Sequence, residues 1–347
     1  MKFPDMNYIQ LYCIVFAAAL VFSLVLTPIF RKIAIKFNIL DHPLSKIKTH
    51  HQPTPYLGGM AIWSSWVISL FLIRLFTHFP TGTLHNLRGV ILGSVIILLL
   101  GLIDDVLPKG LGFKKKFMIQ AAAALAITFF DIRLHFVSPY VVAFILSIIW
   151  VVGITNAFNI VDIMDGLSSG IAVIASLAFL FISLPSEAIY VNFCAAALAG
   201  GCLGFIPFNL SKKKKIFMGD TGSMTVGFIL ASLALGTSYT KINDIGLFSP
   251  LLILAIPIYD TFLVMYFRWR KGQSPFMGSK DHFALRLEKL GFSRPKIITV
   301  TYVISVILSI TAFLSTRLSL LWSSILLAGV ILFAAFASYQ LSKAKID

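Results

Sequence analysis

The chain has 347 residues, of which 58% are hydrophobic and 12% charged, and its mean hydropathy is +0.90. Soluble globular domains carry roughly a quarter charged residues, so the composition excludes an ordinary soluble protein. Apolar runs of about 17 to 25 residues, the length that crosses a hydrocarbon core about 30 Å thick, recur along the whole chain. The sequence therefore predicts an all-α, polytopic integral membrane protein with one membrane-embedded domain over residues 1–347.

The apolar runs predict about eleven transmembrane helices. Their expected bounds are 8–30, 56–76, 87–103, 116–131, 136–156, 168–184, 187–206, 222–238, 247–267, 296–315 and 319–340. The first run is longer than the hydrophobic region of a signal peptide, which has roughly 7 to 15 residues, and no small-residue cleavage site follows it. We therefore interpret it as an uncleaved helix.

The distribution of charge predicts the orientation of the chain. Its net charge is +15, and 23 of the 29 basic residues fall in alternate loops. Because Lys and Arg accumulate in cytoplasmic loops, we expect the N-terminus outside, the five larger loops in the cytoplasm and no nucleic-acid partner.

Ten of the fourteen carboxylates fall on this same basic side. They are Asp41, Asp104, Asp105, Asp162, Asp165, Asp220, Asp260, Asp281, Glu288 and Asp347. Carboxylates beside a bilayer are costly and need a partner or a function. We assign Asp41, Asp281, Glu288 and Asp347 to loop or terminal charge and examine the other six as site residues.

The first cytoplasmic loop contains Lys48 and His50, followed by a turn rich in Pro and Gly. Both side chains can contact phosphate, and a loop that only sets topology is the alternative. Asp104 and Asp105 then end the third predicted span. They form either a solvated helix end or a carboxylate pair that binds Mg²⁺ or deprotonates an incoming group.

Four polar residues recur at a spacing of three at the end of the fifth predicted span, namely Asn156, Asn159, Asp162 and Asp165. On an α-helix, neighbours in this series meet while its ends diverge. A tighter or broken turn would bring more of them onto one face. The alternative is a set of turn residues without chemistry.

A glycine-rich segment, residues 219–223, follows the lysine run 212–215. Glycines let the backbone approach phosphate oxygens, and hydroxyls such as that of Ser223 donate to them. Asp220, in the same segment, is a candidate metal ligand. We interpret the lysine run as a sidedness signal and a contact for anionic membrane lipids, without a catalytic role.

The largest predicted cytoplasmic loop, 268–296, contains His282 and Arg286. If residues 281–289 are helical, the two side chains share a face and can clasp a phosphate or nucleotide. An amphipathic interfacial helix is the alternative. Asp260 lies within or at the end of the ninth span, where an ionisable group is expected to be functional.

In their order and common sidedness, these segments resemble the polyprenyl-phosphate N-acetylhexosamine-1-phosphate transferases, glycosyltransferase family 4, and especially the undecaprenyl-phosphate GlcNAc-1-phosphate transferase branch. The resemblance covers residues 41–286. It implies transfer of a sugar 1-phosphate from a UDP-N-acetylhexosamine to undecaprenyl phosphate in the bacterial inner membrane, with release of UMP. It also implies Mg²⁺ as cofactor, with Mn²⁺ as a substitute, and a homodimer is compatible with the apolar faces.

The resemblance implies roles for individual residues. Four carboxylates match its catalytic aspartates, namely Asp104, Asp105, Asp162 and Asp165. Substrate contacts are expected from Lys48, His50, Lys116, Asn156, Asn159, His282 and Arg286. The implied metal ligands are Asp220 and Asp165, with Asp260 and Ser223 supporting the site.

Three positions depart from the family pattern. Ile163 follows Asp162 where the family often has Gly, and Ala284 and Leu285 replace two of three loop histidines. The missing histidines favour the branch that starts O-antigen, teichoic-acid or exopolysaccharide chains over the enzyme that makes lipid I. An ion-coupled transporter is the alternative from another class, disfavoured because the acids gather at one face rather than at the midplane of two related halves.

Overall fold

The computed structural model describes residues 7–43, 52–77, 79, 82–107, 110–186, 188–239, 242–274 and 279–344. Within these ranges the chain forms thirteen α-helices and one antiparallel pair of short strands. The helices are α1 (Tyr8–Lys36), α2 (Gly58–Phe76), α3 (Thr83–Val106), α4 (Phe113–Thr128), α5 (Tyr140–Val161), α6 (Leu167–Ser183), α7 (Ile189–Asn209), α8 (Gly219–Gly236), α9 (Ser249–Ile253), α10 (Ala255–Arg270), α11 (Phe283–Lys289), α12 (Arg294–Ser315) and α13 (Leu320–Ser342). The strands are β1 (Leu40–Asp41) and β2 (Thr54–Pro55).

Every predicted span coincides with helical structure, which confirms the all-α membrane architecture. Seven described helices are long and apolar enough to cross a membrane, or eight if the chain from Asp244 to Arg270, bent by 72° between α9 and α10, is one span. The other three predicted spans are α4, α6 and α8, with 16, 17 and 18 residues. Length and composition therefore support eight spans at most among the described residues, rather than the predicted eleven.

Helix α8 lies at the centre of the bundle. Its residues from Thr221 to Leu235 are all buried, and it packs against α2, α3, α5, α6 and α7. Its first turn is polar and carries Asp220. The close approach of α3 depends on Gly101, where a Cβ atom would lie 2.5 Å from the Thr221 Cα.

A break in the helical path exposes the polar end of α5. The helix ends at Val161, and Asp162 follows it with φ −79° and ψ 55°. Gly166 then starts α6 with a φ of +79°, a left-handed conformation that glycine adopts without a steric penalty. Asp162 and Asp165 therefore lie in a turn between two helices rather than on a helix face.

The segment that precedes Asp220 is held by backbone hydrogen bonds with β2 and the start of α2. The Phe217 N–H donates to the Pro55 carbonyl over 2.8 Å, and the Gly58 and Gly59 N–H groups donate to the Phe217 and Met218 carbonyls over 3.0 and 2.9 Å. Strand β1 pairs with β2 beside this segment. These bonds fix the position of the backbone that leads into α8.

Replacement of Gly101 by Ala is expected to destabilise the bundle by about 1–3 kcal/mol, the usual cost of overpacking. The new methyl group would meet the Thr221 backbone and the Asp220 carbonyl, which lie 2.5 and 2.6 Å from its position and cannot rotate away. Thermal unfolding in detergent should show a lower Tm.

Gly153→Ala is the matched control, because a Cβ on this α5 residue meets no atom within 4 Å. Its Tm should be unchanged or slightly higher, since Ala favours a helix by about 0.8–1.0 kcal/mol over Gly. Equal Tm values for the two variants would contradict the tight contact between α3 and α8.

Candidate active site

The polar ends of α5 and α8 and the chain around α10 and α11 enclose a cleft of about 420 Å³. Its walls carry both acidic and basic side chains. The polar ones are Asp41, Tyr56, Asn159, Asp162, Asp165, Asn209, Lys215, Asp220, Ser223, Arg268, Ser279, His282 and Arg294. The cleft therefore brings together most of the polar groups that the sequence places in separate loops.

Asp220 is the centre of the acidic wall. One of its oxygens, Oδ2, lies 2.6 Å from the Lys116 Nζ, which also lies 2.6 Å from Asp104 Oδ2. Its other oxygen accepts a hydrogen bond of 2.9 Å from Asn159 Nδ2, which also donates to the Ser223 hydroxyl over 3.1 Å. The Asp220 carboxylate of α8 thus contacts side chains from α4 and α5, and Lys116 extends these contacts to Asp104 of α3.

The adjacent Asp105 has a different role from Asp104. Its carboxylate accepts hydrogen bonds of 2.9 Å from the backbone N–H groups of Asp220 and Thr221 and one of 2.6 Å from the Thr221 hydroxyl. The first N–H groups of a helix have no partner within the helix, and a negative charge there is favourable. Asp105 therefore caps α8 and fixes the backbone of Asp220.

The turn between α5 and α6 supplies two more carboxylates to the cleft. Asp165 Oδ2 lies 2.7 Å from Lys215 Nζ, so one lysine of the run interpreted as a sidedness and lipid-contact signal reaches the cleft. Asp162 makes no hydrogen bond or ion pair with another described residue. Burial, together with the negative charges of Asp220, Asp165 and Asp105, raises the pKa of Asp162. Asp162 is thus a cleft carboxylate that has no hydrogen-bond or ion-pair partner among the described residues.

Two further wall residues had no clear signal in the sequence. Asp41, expected to be a loop charge, is 8% exposed and lines the cleft beside Tyr56. Burial and a hydrogen bond with Asp41 raise the pKa of Tyr56. Asn209, the last residue of α7, accepts from the Gly166 N–H over 2.6 Å and donates to the Ile216 carbonyl over 3.0 Å. It thereby ties the α5–α6 turn to the segment before α8.

The predicted shared face of His282 and Arg286 is wrong. Helix α11 begins after His282, which lines the cleft. Arg286 is 2% exposed, with Nη2 2.6 Å from Asp281 Oδ1 and its guanidinium 3.4 Å from the centre of the Phe267 ring. Asp281, expected to be a loop charge, is 1% exposed and forms this buried pair. Arg286 therefore has a structural position.

Asn156 and Asp260 lie away from the cleft wall. Asn156 donates to the Gln120 side chain over 2.6 Å and to the Val152 carbonyl over 2.7 Å, which joins α5 to α4. Asp260 lies behind His282, with Oδ2 2.8 Å from the imidazole Nδ1. Lys48 and His50 are outside the described residues.

The donors of the cleft suit a hard divalent ion. Among the described residues no three Asp, Glu, His or Cys side chains converge on one point. Mg²⁺, however, is usually held by one or two protein carboxylates, with phosphates and water completing its shell. Asp162, Asp165 and Asp220 supply carboxylate oxygens in one cleft, and Asp162 is not engaged by a described cation. The residues present therefore fit the ion that the sequence resemblance implies.

Apolar helices that can cross a membrane surround a cleft in which carboxylates pair with lysines, an arrangement of charge that suits anionic ligands. Residues 87–238 match the family model described as Glycosyl transferase family 4. The "Probable undecaprenyl-phosphate N-acetylglucosaminyl 1-phosphate transferase" of Bacillus subtilis (strain 168) is 30% identical over 328 residues, 92% of this chain and 88% of the relative. The chain belongs to this family of polyprenyl-phosphate N-acetylhexosamine-1-phosphate transferases.

Two other relatives carry similar names. The "Decaprenyl-phosphate N-acetylglucosaminephosphotransferase" of Mycolicibacterium smegmatis (strain ATCC 700084 / mc(2)155) is 31% identical over 304 residues, 78% of this chain and 74% of the relative. The "Undecaprenyl-phosphate alpha-N-acetylglucosaminyl 1-phosphate transferase" of Escherichia coli (strain K12) is 27% identical over 298 residues, 81% of this chain and 77% of the relative. Similarity thus extends well beyond the residues matched by the family model.

Asp105→Asn is expected to lower the Tm more than Asp104→Asn. An amide in place of the Asp105 carboxylate leaves either the Asp220 N–H or the Thr221 donors without an acceptor, at a cost of about 1–3 kcal/mol. In Asp104→Asn, Lys116 keeps Asp220 as its ion-pair partner. Thermal unfolding of both variants in one detergent tests this difference. Equal shifts would contradict the capping role of Asp105.

Proposed function

We propose that the chain transfers N-acetylhexosamine 1-phosphate, with N-acetylglucosamine as the favoured sugar, from a UDP-sugar to undecaprenyl phosphate. UMP is released, and the lipid product starts a cell-envelope glycan. The observation that carries the proposal is the arrangement around Asp220, whose two oxygens are engaged by Lys116 and Asn159 at the edge of a cleft that also contains Asp162 and Asp165. The names of the relatives support the donor and acceptor classes.

In the proposed reaction, an oxygen of the lipid phosphate attacks the β-phosphorus of the UDP-sugar. The bond from that phosphorus to the oxygen bridging it to the α-phosphate breaks, and UMP leaves with this oxygen and its electron pair. Direct attack is favoured over a covalent aspartyl-phosphate, because the acceptor is already an oxyanion. Asp162 is proposed to accept the proton of a lipid phosphate that binds in its protonated form.

The chain must offset the repulsion between two anionic substrates. Phosphoryl transfer depends mainly on positioning and on cations near the phosphate oxygens. Lys116 and Lys215, each 2.6–2.7 Å from a carboxylate, supply this charge at the edge of the cleft. Asp220 and Asp165 are proposed to hold Mg²⁺, or Mn²⁺ as a substitute, which when bound neutralises charge on the phosphate groups.

Two residues that replace family histidines support the N-acetylglucosamine branch over lipid I synthesis. Leu285 lines the cleft, and Ala284 is fully buried and does not line it. Neither side chain offers a polar group to a substrate. His282 is therefore the histidine that this loop contributes to the cleft.

We further propose that the chain crosses a bacterial plasma membrane eleven times, with α4, α6 and α8 as three of the spans. The N-terminus is then outside and the cleft faces the cytoplasm. The basic residues around the cleft, including Lys116 and Lys215, support this orientation through the positive-inside rule. Short or polar spans are tolerated when they are enclosed by protein rather than lipid, and α8 is buried throughout most of its length.

UMP release tests the activity. Purified protein with undecaprenyl phosphate, Mg²⁺ and UDP-N-acetylglucosamine is expected to release UMP, and Asp220→Asn should reduce the rate by at least about 100-fold. Asp244→Asn, an exposed carboxylate outside the cleft, is the matched control and should retain wild-type activity. Folded wild-type protein that releases no UMP from a panel of UDP-sugars would contradict the proposed function.

Cysteine labelling tests the orientation. After Cys13→Ser, Lys213→Cys and His135→Cys each place one exposed thiol on a different predicted side, while Cys194 and Cys202 stay buried. In intact cells, a membrane-impermeant maleimide should label the residue 135 variant and leave the residue 213 variant unlabelled until the membrane is opened. The reverse pattern would place the cleft outside.

A further inference from the structure

Asp260 is a buried carboxylate whose two oxygens both contact the short segment 282–283. It lies in α10 with no exposed surface. Oδ2 lies 2.8 Å from His282 Nδ1, and Oδ1 accepts a 2.8 Å hydrogen bond from the Phe283 N–H. A buried charge of this kind is costly unless each oxygen is hydrogen-bonded. Both Asp260 oxygens meet this requirement through residues 282 and 283 alone.

The backbone on the other side of His282 is held as well. Arg286 Nε donates to the Asp281 carbonyl over 3.2 Å, and Nη2 pairs with the Asp281 carboxylate at 2.6 Å. Arg286 Nη1 reaches the carbonyls at the end of α13, those of Leu341 and Ala344, over 3.1 and 2.9 Å. His282 is thus fixed at its ring, at the residue before it and at the residue after it.

The contact with Asp260 selects one protonation pattern for the imidazole. A carboxylate accepts hydrogen bonds, so Nδ1 must carry a proton. Within the described part of the chain, Nε2 makes no hydrogen bond. It is therefore the ring nitrogen left for a ligand, as an acceptor in the neutral ring and as a donor in the protonated ring. His282 is 6% exposed and lines the cleft.

We propose that Asp260 is a positioning residue that orients His282 and fixes its tautomer, so that Nε2 is presented to the diphosphate of the nucleotide-sugar donor. This inference rests on the function proposed above. Asp260 itself has no surface in the cleft, so its effect on turnover passes through His282. The competing explanation is that Asp260 only caps α11 through the Phe283 N–H, in which case its loss would lower stability without depending on His282.

Two substitutions separate these explanations. Asp260→Asn keeps an oxygen for the Phe283 N–H but turns an NH₂ group toward Nδ1, which favours the opposite tautomer. His282→Asn keeps a donor for Asp260 near the position of Nδ1 and removes Nε2. Each variant is expected to lose roughly 10- to 100-fold in kcat/KM for UDP-N-acetylglucosamine, with a Tm close to that of the wild type. This is the range seen when the residue that orients a metal-bound histidine is lost, and His282→Asn removes the same Nε2 contact directly.

The double variant supplies the decisive comparison. If Asp260 acts through His282, combining the substitutions should cost no more than either one alone, because both remove the same contact. Losses that multiply would overturn the proposal, as would Asp260→Asn protein with wild-type kcat/KM. Unchanged turnover in the folded fraction of Asp260→Asn protein would favour the capping role alone, because the Asn oxygen still accepts from the Phe283 N–H.

The tautomer can also be measured without substrate. The chain has seven histidines, and comparison with His282→Asn assigns the ¹⁵N signals of His282 in histidine-labelled protein. A protonated Nδ1 is expected in the wild type, and a ring protonated only at Nε2 would overturn the proposal even if Asp260→Asn fails to fold. A protonated Nδ1 in wild-type protein that releases no UMP would instead reject the proposed function and leave the positioning of the ring intact.

Discussion

The bonds from the Asp105 carboxylate to the first turn of α8 are the interaction on which the site depends. Helix α8 is enclosed by other helices, so the unpaired N–H groups at its start would be costly in an apolar interior. Asp105 satisfies two of them from α3. Because Asp220 is the second residue of α8, the same bonds set where its carboxylate meets Lys116 and Asn159.

The apolar bundle also explains why charges come in pairs. Isolated ions are expensive in such surroundings, and most site carboxylates have a basic partner within hydrogen-bonding distance. The partners are Lys116 for Asp104 and Asp220, Lys215 for Asp165, His282 for Asp260 and Arg286 for Asp281. Asp162 lacks such a partner among the described residues, and its carboxylate remains available within the cleft.

The helices were largely predictable from the sequence, because a membrane span requires a long apolar run whatever its neighbours are. The break between α9 and α10 was not predicted. Pro257 lacks the N–H that would bond to the Ile253 carbonyl, and the helix is interrupted at Leu254. The break depends on this one proline, but residues 247–267 form one long apolar run, and such a run predicts a single continuous helix.

The site was predictable only in part, for a different reason. The aspartates stood out because charge is rare in an apolar chain, and the structure brings Asp162, Asp165 and Asp220 into one cleft. The partner of each group depends on contacts across the bundle. Of the four lysines 212–215, Lys215 is the one that reaches Asp165, and Arg286 faces the end of α13 rather than the cleft. The spacing of residues along the chain does not reveal which side chains pair in this way.

The cluster formed by Asp104, Lys116 and Asp220 has a consequence for how mutational data are interpreted. Its single cation separates two carboxylates, so a neutral residue at position 116 leaves those carboxylates facing each other without screening. Lost turnover in such a variant would therefore combine electrostatic repulsion between Asp104 and Asp220 with the loss of a phosphate contact. A second substitution at Asp104 would relieve the repulsion, and comparing this double variant with the Asp104 single variant would isolate what the ammonium group itself contributes.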